Sequence, residues 1–159
     1  MENKNWLTKD EAEAFIGKNS WFYLEKWKSH SEDTLKGWNW PAAVFGLQWM
    51  MYRKMYLEAL LFYVFQIVAG VLIGMAFWTF RVSIDGELIR PIFGILTGIF
   101  GNMLYRNKAL RILRKTIYMD EPMRVAALQE KGGTSVVGVI VGVIVQIIIA
   151  ILLVFLTSL

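Results

Sequence analysis

The chain has 159 residues, of which 56% are hydrophobic and 14% aromatic, and its formal net charge is +4. This length leaves room for one small domain rather than two globular ones, and the absence of cysteine excludes a disulfide framework, a thiolate metal site and a cysteine nucleophile. The first residues contain no apolar run, so we expect no cleaved signal peptide. Residues 1–37 are polar and predict amphipathic cytoplasmic helices: Thr8 and Glu11 form a capping box, and a second helix should reach about His30.

Residues 38–54 mix aromatic and basic side chains with aliphatic ones, a composition typical of the membrane surface. Pro41 suits the first turn of a helix, because its missing N–H group would have no helical partner there. The apolar run 41–51 is too short to cross a bilayer, which takes about 20 residues. We therefore predict one helix that lies in the cytoplasmic interface, with entry into the bilayer as the open alternative. The candidate contacts to lipid headgroups or a partner are Trp38, Asn39, Trp40, Tyr52, Arg53, Lys54 and Tyr56, with Trp49 at the same level.

Residues 55–159 predict a membrane domain with spans at about 55–80, 88–105 and 134–158. No helix breaker follows the second apolar run, so we expect its helix to continue into a cytoplasmic excursion at 106–133. Lys and Arg number eight before residue 55, two in the loop between the first two spans, seven between residues 106 and 131, and none in or after the third span. The positive-inside rule then predicts a cytoplasmic N-terminus and an external C-terminus.

Each predicted span contains two glycines four residues apart, a spacing that lets helix backbones approach closely in lipid. At roughly 1.5 Å rise per residue, the pairs of the first two spans lie at matching heights, so we predict that they face each other in an antiparallel hairpin. The third pair should lie near the cytoplasmic side, beside Gly101. Glycine is also common in membrane helices without any such role. The pairs are Gly70 and Gly74, Gly94 and Gly98, and Gly138 and Gly142.

No residue arrangement typical of an enzyme is present, since the chain has one histidine and lacks a nucleophile elbow, a P-loop and a zinc-protease motif. We therefore predict a protein that is not an enzyme, with no catalytic residues, no metal site and no cofactor. The basic residues flank the spans without a nucleic-acid-binding motif, so we expect no nucleic-acid partner.

Two polar residues of the spans are candidate functional groups. Glu58 is the sole carboxylate inside an apolar stretch, and it is either a structural residue paired near Arg53 and Lys54 or a proton or ion relay. Asn102 in the second span could hydrogen-bond to another helix, as could Gln66 and Gln146.

The short segment before the third span can be interpreted in two ways. Free N–H groups at a helix start can bind an anion such as a lipid phosphate. A tight turn with an N-cap accounts for the same residues. The segment consists of Gly132, Gly133, Thr134 and Ser135.

Several motifs together resemble a family of small bacterial multi-pass membrane proteins known only as a domain of unknown function. The motifs are Trp38-Asn39-Trp40-Pro41-Ala42-Ala43, Tyr52-Arg53-Lys54-Met55-Tyr56, Phe15-Ile16-Gly17-Lys18-Asn19, Tyr23-Leu24, Gly101-Asn102 with Tyr105, and Lys131-Gly132-Gly133-Thr134-Ser135. The resemblance covers about residues 15–135 and implies a location in the bacterial cytoplasmic membrane. It implies no catalytic residues.

The sequence as a whole predicts an all-α protein with three membrane helices, an interfacial aromatic helix and amphipathic cytoplasmic helices. Our leading hypothesis is a non-enzymatic scaffold, interaction or regulatory protein that contacts lipid headgroups, an unknown protein partner or another copy of itself. The alternative is a small oligomeric channel or permeability factor, which would need polar residues aligned along one face of the spans.

Overall fold

The structure is a computed structural model that describes residues 7–28, 37–80 and 90–158. All regular elements in these ranges are α-helices, so the predicted all-α class is confirmed. In chain order they are α1 (Lys9–Ile16), α2 (Ser20–Lys28), α3 (Trp40–Phe45), α4 (Leu47–Tyr52), α5 (Tyr56–Phe80), α6 (Arg90–Thr116), α7 (Glu121–Lys131) and α8 (Val136–Thr157).

Local signals place the starts of α1 and α8 where the sequence predicts them. The Thr8 side chain accepts from the Glu11 N–H group, and the Glu11 carboxylate accepts from the Thr8 N–H group, so the predicted capping box is present. Ser135 caps α8 by accepting from the Gly138 N–H group at 2.9 Å. The backbone N–H of Ser135 in turn donates to the carbonyl oxygen of Tyr52 at 2.8 Å, which ties the start of α8 to the end of α4.

A buried cluster of five aromatic side chains, here called the aromatic hub, joins α1, α2, α4 and α6. The Tyr105 ring is fully buried at its centre. Four rings surround it, with centroid distances of 5.2 Å to Phe15, 5.3 Å to Tyr23, 5.8 Å to Trp27 and 6.1 Å to Trp49. Such ring pairs each contribute about 0.5–1.5 kcal/mol beyond the area that they bury. The hub therefore holds the amino-terminal helices against the carboxyl-terminal half of α6.

The interfacial stretch forms two short helices, which corrects the prediction of one continuous helix. The break falls at Gly46, whose φ of +48° lies in the left-handed region that glycine adopts without strain. The two pieces pack differently: α3 lies along α6, and α4 lies against α5 and α8. The stretch thus contacts three long helices, while Trp40, Val44 and Phe45 of α3 stay exposed.

Two helices have the length and composition of membrane spans. They cover Tyr56–Phe80, with a mean hydropathy of 2.3, and Val136–Leu156, with a mean hydropathy of 3.3. Only 0% and 6% of their most apolar windows are buried within the described part of the chain. By the same criteria α6 is not a candidate span, although it runs as one helix to Thr116 as the sequence predicts.

The helices α5 and α6 do not run side by side, which corrects the predicted antiparallel hairpin. Phe93 of α6 contacts Phe62 and Phe65 of α5, with ring centroids 6.1 Å apart in both pairs. Eighteen residues further along α6, Arg111 pairs with Glu58. Those contacts span about 27 Å of α6 but only about 10 Å of α5, so the two axes cannot run side by side.

Candidate functional site

The segment before and within α3 is fixed to α6 by a buried pair of amides. The Asn39 side chain donates from Nδ2 to Oδ1 of Asn102 at 2.8 Å and accepts at Oδ1 from the Ala42 N–H group, which caps α3. Asn102 in turn donates from Nδ2 to the carbonyl oxygen of Gly37 at 2.6 Å. The backbone N–H of Asn39 also donates to the carbonyl oxygen of Gly98. Asn102 therefore bridges between elements as predicted, whereas Asn39 is a buried structural residue and not a headgroup contact.

Three glycines and a threonine give α3 its close approach to α6. A Cβ atom added to Gly94 would lie 2.7 Å from the Ala43 carbonyl oxygen, and one added to Gly98 would lie 2.9 Å from the Ala43 Cβ. Gly101 is equally close to Ala42. Thr97, between them, donates from its hydroxyl group to the Ala42 carbonyl oxygen at 2.8 Å. This face of α6 therefore serves to receive α3.

The predicted pairing of glycines between the spans is wrong. A Cβ atom added to Gly70 or Gly74 would meet no other heavy atom within 4 Å among the described residues, because α5 does not run alongside α6. Gly138 and Gly142 pack on Met51 of α4 instead of approaching Gly101, with added Cβ atoms 3.0 Å from the Met51 carbonyl oxygen and 2.9 Å from its side chain.

Arg53 lies inside the aromatic hub, only 8% exposed, which corrects its predicted position at the headgroups. Its guanidinium carbon lies 5.0 Å from the ring centroid of Tyr23 and 5.1 Å from that of Tyr105, within cation–π range. The guanidinium donates to the Tyr23 hydroxyl oxygen at 3.0 Å and to the Ile16 carbonyl oxygen at 3.4 Å. Its Nε has no hydrogen-bond partner in the described part of the chain.

Two lysines surround the turn that follows α4. Lys54 adopts a φ of +55° and donates to the carbonyl oxygen of Glu130 at 3.0 Å. The buried Lys108 of α6 donates to the carbonyl oxygens of Arg53 and Lys54, both at 3.0 Å. Burial lowers the pKa of Lys108 to about 8, an effect that the nearby Glu58 carboxylate partly opposes. Lys108 holds the backbone of the turn and thereby fixes where the Arg53 side chain enters the hub.

Glu58 forms an ion pair with Arg111 of α6, not with Arg53 or Lys54 as the sequence suggests. The pair is partly exposed, so its contribution to stability is at the modest end for ion pairs. This contact fits the structural interpretation of Glu58.

The predicted aromatic contacts divide into exposed and buried residues. Trp38, Trp40, Tyr52 and Tyr56 remain exposed, Trp40 most of all at 70%. Trp49 is buried in the hub, which corrects its predicted place at headgroup level. The indole rings of Trp38 and Trp40 meet edge to face with centroids 5.3 Å apart.

The segment before α8 forms a tight turn, and most of its backbone N–H groups donate hydrogen bonds to carbonyl oxygens of the protein. Gly132 donates to the Leu128 carbonyl oxygen at 2.8 Å, and Gly133 donates to the Phe15 carbonyl oxygen at 2.6 Å. Gly132 lies directly against the Phe15 carbonyl group and leaves no room for a Cβ atom there. With Ser135 committed to Tyr52 and to its own cap, the geometry matches the turn and N-cap interpretation. Thr134 is exposed beside this junction.

A cavity of about 340 Å³ lies next to Arg53 and is open to the outside. Its walls come from α2, from the α3 and α4 segment and from the first turn of α8. The lining residues are Tyr23, Pro41, Phe45, Gln48, Trp49, Tyr52, Arg53 and Val139. Sequence reasoning misses both this cavity and the hub, because their residues come from distant positions. Within the motif Tyr52-Arg53-Lys54-Met55-Tyr56, Tyr52 and Arg53 do line the cavity, so this motif was the available sequence signal for the site.

The described residues hold no group of three or more His, Asp or Glu side chains that could bind a metal ion.

The fold and the site together define an all-α protein in which two helices of membrane-span character are joined to an aromatic core with a buried arginine.

The chain belongs to the family described as protein of unknown function (DUF2628), whose model matches residues 8–111. The matched region includes the hub, the Asn39–Asn102 pair and Arg53, while the Gly132–Ser135 segment lies beyond it. The predicted resemblance to a domain of unknown function is confirmed at that level, and bacterial origin stays a prediction. Neither the comparison with curated proteins nor that with solved structures found a match.

Proposed function

We propose that this chain is a non-enzymatic protein of the bacterial cytoplasmic membrane, a scaffold or regulatory protein whose core contacts lipid headgroups or a protein partner. The observation that carries the proposal is the exposure of α5 and α8. An apolar helix of more than 20 residues that belongs to a soluble core is mostly buried, whereas these two are almost wholly uncovered. A bilayer supplies the apolar surroundings that the rest of the chain does not.

The proposed orientation follows from where these two helices begin. Ser135, directly before α8, donates to Tyr52, four residues before α5, and Gly138 of α8 packs on Tyr56. If both helices leave the same side of the membrane, the intervening residues must return across it, and α6 belongs to that return. The exposed basic side chains of Arg111, Arg114 and Lys115 lie towards the hub end of α6. The positive-inside rule places that end in the cytoplasm.

The contacts of two polar span residues favour a scaffold over the channel alternative. Asn102 is engaged with Asn39, and Gln146 of α8 accepts from the Gln48 side chain at 3.2 Å. A pore lining would need such groups directed to a shared water-filled path. Here both fasten the α3 and α4 segment to the long helices.

The proposed orientation predicts the behaviour of two fusions. A reporter that is active only in the cytoplasm should be active when fused after Lys115 and inactive when fused after Leu159. A reporter active only outside the cytoplasm provides the reciprocal control at both positions. Cytoplasmic activity at Leu159 would contradict the three-crossing arrangement.

The proposed scaffold function predicts retention of lipid without ion flux. The protein should stay in the membrane pellet after carbonate extraction, co-purify with anionic phospholipid in mild detergent, and give liposomes no more ion permeability than empty ones. Lipid retention should decrease as salt rises, because each exposed basic residue near an anionic leaflet contributes only about 1 kcal/mol and is screened. Release by carbonate would refute membrane insertion, and ion flux in proportion to protein content would favour the channel.

A further inference from the structure

The open cavity beside Arg53 lies where the two exposed apolar helices begin. Tyr52 ends α4, Arg53 begins the turn into α5, and Val139 is in the first turn of α8. Phe45, another lining residue, is itself exposed. If α5 and α8 cross the membrane as proposed, the cavity lies at the level of the cytoplasmic leaflet.

Arg53 is a buried cation that no carboxylate neutralises among residues 7–28, 37–80 and 90–158. Other charges near the core are paired, as Glu11 is with Arg124 and Glu58 with Arg111. Lys108 can relieve its own burial by losing a proton at mildly alkaline pH, but a guanidinium group keeps its charge. A buried charge without a counter-charge is costly, and a bound anion would remove that cost.

The donors of Arg53 are only partly used. A guanidinium group carries five N–H donors, and hydrogen bonds to Tyr23 and Ile16 account for two of them. The Nε group has no partner within the described residues. Because Nε is fully buried, the donors left for an oxyanion are the second N–H groups of the two terminal nitrogens, and the apolar surroundings would strengthen an ion pair formed there.

The remaining walls suit an alkyl chain. Pro41, Phe45, Trp49 and Val139 are apolar, and Gln48 is the only amide side chain of the lining. A volume of about 340 Å³ is at the lower end of the range of small-ligand pockets. A two-chain phospholipid would not fit, whereas one chain with a compact head would.

We propose that this cavity binds a fatty acid from the cytoplasmic leaflet, with its carboxylate on Arg53 and its alkyl chain between α3 and the first turn of α8. The location in the leaflet rests on the proposed membrane function, while the ligand class rests on the charge and the lining of the cavity. Binding would stabilise the junction of α2, α4 and α8, since all three contribute walls. The protein would then respond to the free fatty acid content of its membrane.

The test measures retention of radiolabelled dodecanoate by the full chain in nanodiscs of zwitterionic phospholipid, with empty nanodiscs subtracted. Wild-type protein should bind about one dodecanoate per chain, in a saturable manner. Val139→Phe, which enlarges an apolar lining side chain and leaves Arg53 in place, should weaken the affinity at least about tenfold. The neighbouring Ile140→Phe, at an exposed position outside the lining, is the matched control and should bind as wild type does.

Competition experiments distinguish binding of the carboxylate head group from burial of the alkyl chain. Unlabelled dodecanoate should displace the label, whereas dodecyltrimethylammonium should not, because its cationic head would face Arg53. Equal affinity of Val139→Phe and wild type, or equal displacement by the cationic amphiphile, would overturn the proposal. If the fusions after Lys115 and Leu159 behave as expected and dodecanoate is still not retained, the ligand proposal fails and the membrane proposal stands.

Discussion

Replacing Arg124 with methionine should lower the free energy of unfolding by about 3 kcal/mol or more, because it removes the guanidinium from a buried carboxylate. Glu11 is 1% exposed, and its Oε1 lies 2.7 Å from Nε of Arg124. The other oxygen of Glu11 accepts from the Thr8 N–H group and closes the capping box of α1. The ion pair thus joins α7 to the start of α1. Denaturant unfolding in detergent micelles, followed by tryptophan fluorescence, would measure the loss.

A double-mutant cycle would show that the loss comes from the buried charge. Glu11→Gln combined with Arg124→Met should be less destabilising than the sum of the two single changes, because the double variant leaves neither buried charge without its partner. Lys9→Met provides the matched control on the same helix. Its ion pair with Glu13 lies on the surface, with side chains 81% and 51% exposed, so we expect a change within about 0.5 kcal/mol. A loss below about 1 kcal/mol for Arg124→Met would refute the structural role of the pair.

The sequence predicts features that depend on residues three or four positions apart. The capping box at Thr8 and Glu11, an N-cap within the segment that ends at Ser135 and the continuity of α6 into residues 106–116 were all predicted from such local signals. Each depends on a hydrogen bond or a helical pattern within one element, so the rest of the fold has little influence on it.

The burial of Arg53 could not be predicted in this way, because its partners are far away in the chain. The rings of Tyr23 and Tyr105 lie 30 and 52 positions from it, in α2 and α6. Aromatic and basic residues mixed with aliphatic ones are typical of a membrane surface, but a buried cation–π cluster has the same composition. Sequence composition therefore identifies residues 38–54 as the important segment, but it predicts Arg53 and Trp49 at the membrane surface when both are buried.

The site around α3 likewise combines a feature that the sequence predicts with one that depends on distant residues. The polar residue Asn102 was predicted to bridge helices, and it does so, but its partner Asn39 was predicted at the surface. A single amide in an apolar stretch indicates that a partner exists, because an unsatisfied amide there would be costly. Which residue supplies the partner depends on the break at Gly46 and on how α3 lies along α6, and neither follows from spacing alone.

The last prediction compares two glycines that the sequence pattern does not distinguish. Gly94→Leu should destabilise the protein by about 3 kcal/mol, at the upper end of the cost of overpacking, whereas Gly74→Leu should be neutral or slightly stabilising. Both replacements give the same gain in helix propensity, up to about 1 kcal/mol. At Gly94 the new Cβ atom would lie 2.7 Å from the Ala43 carbonyl oxygen, which is backbone and cannot rotate away. At Gly74 it would meet no atom within 4 Å among the described residues.

The expected loss at Gly94 comes from moving α3 off α6 as a unit. Ala43 is adjacent to Ala42, whose N–H and carbonyl groups bond to Asn39 and Thr97, so a displaced Ala43 would also strain both buried hydrogen bonds. Thermal unfolding in one detergent, with both variants measured beside wild type, would test the difference. In a hairpin of α5 and α6, both glycines would lie at the helix contact, and the two variants would melt early together. Early melting of Gly94→Leu alone is the result expected when α3 occupies that face of α6 and no described residue covers the Gly74 face of α5.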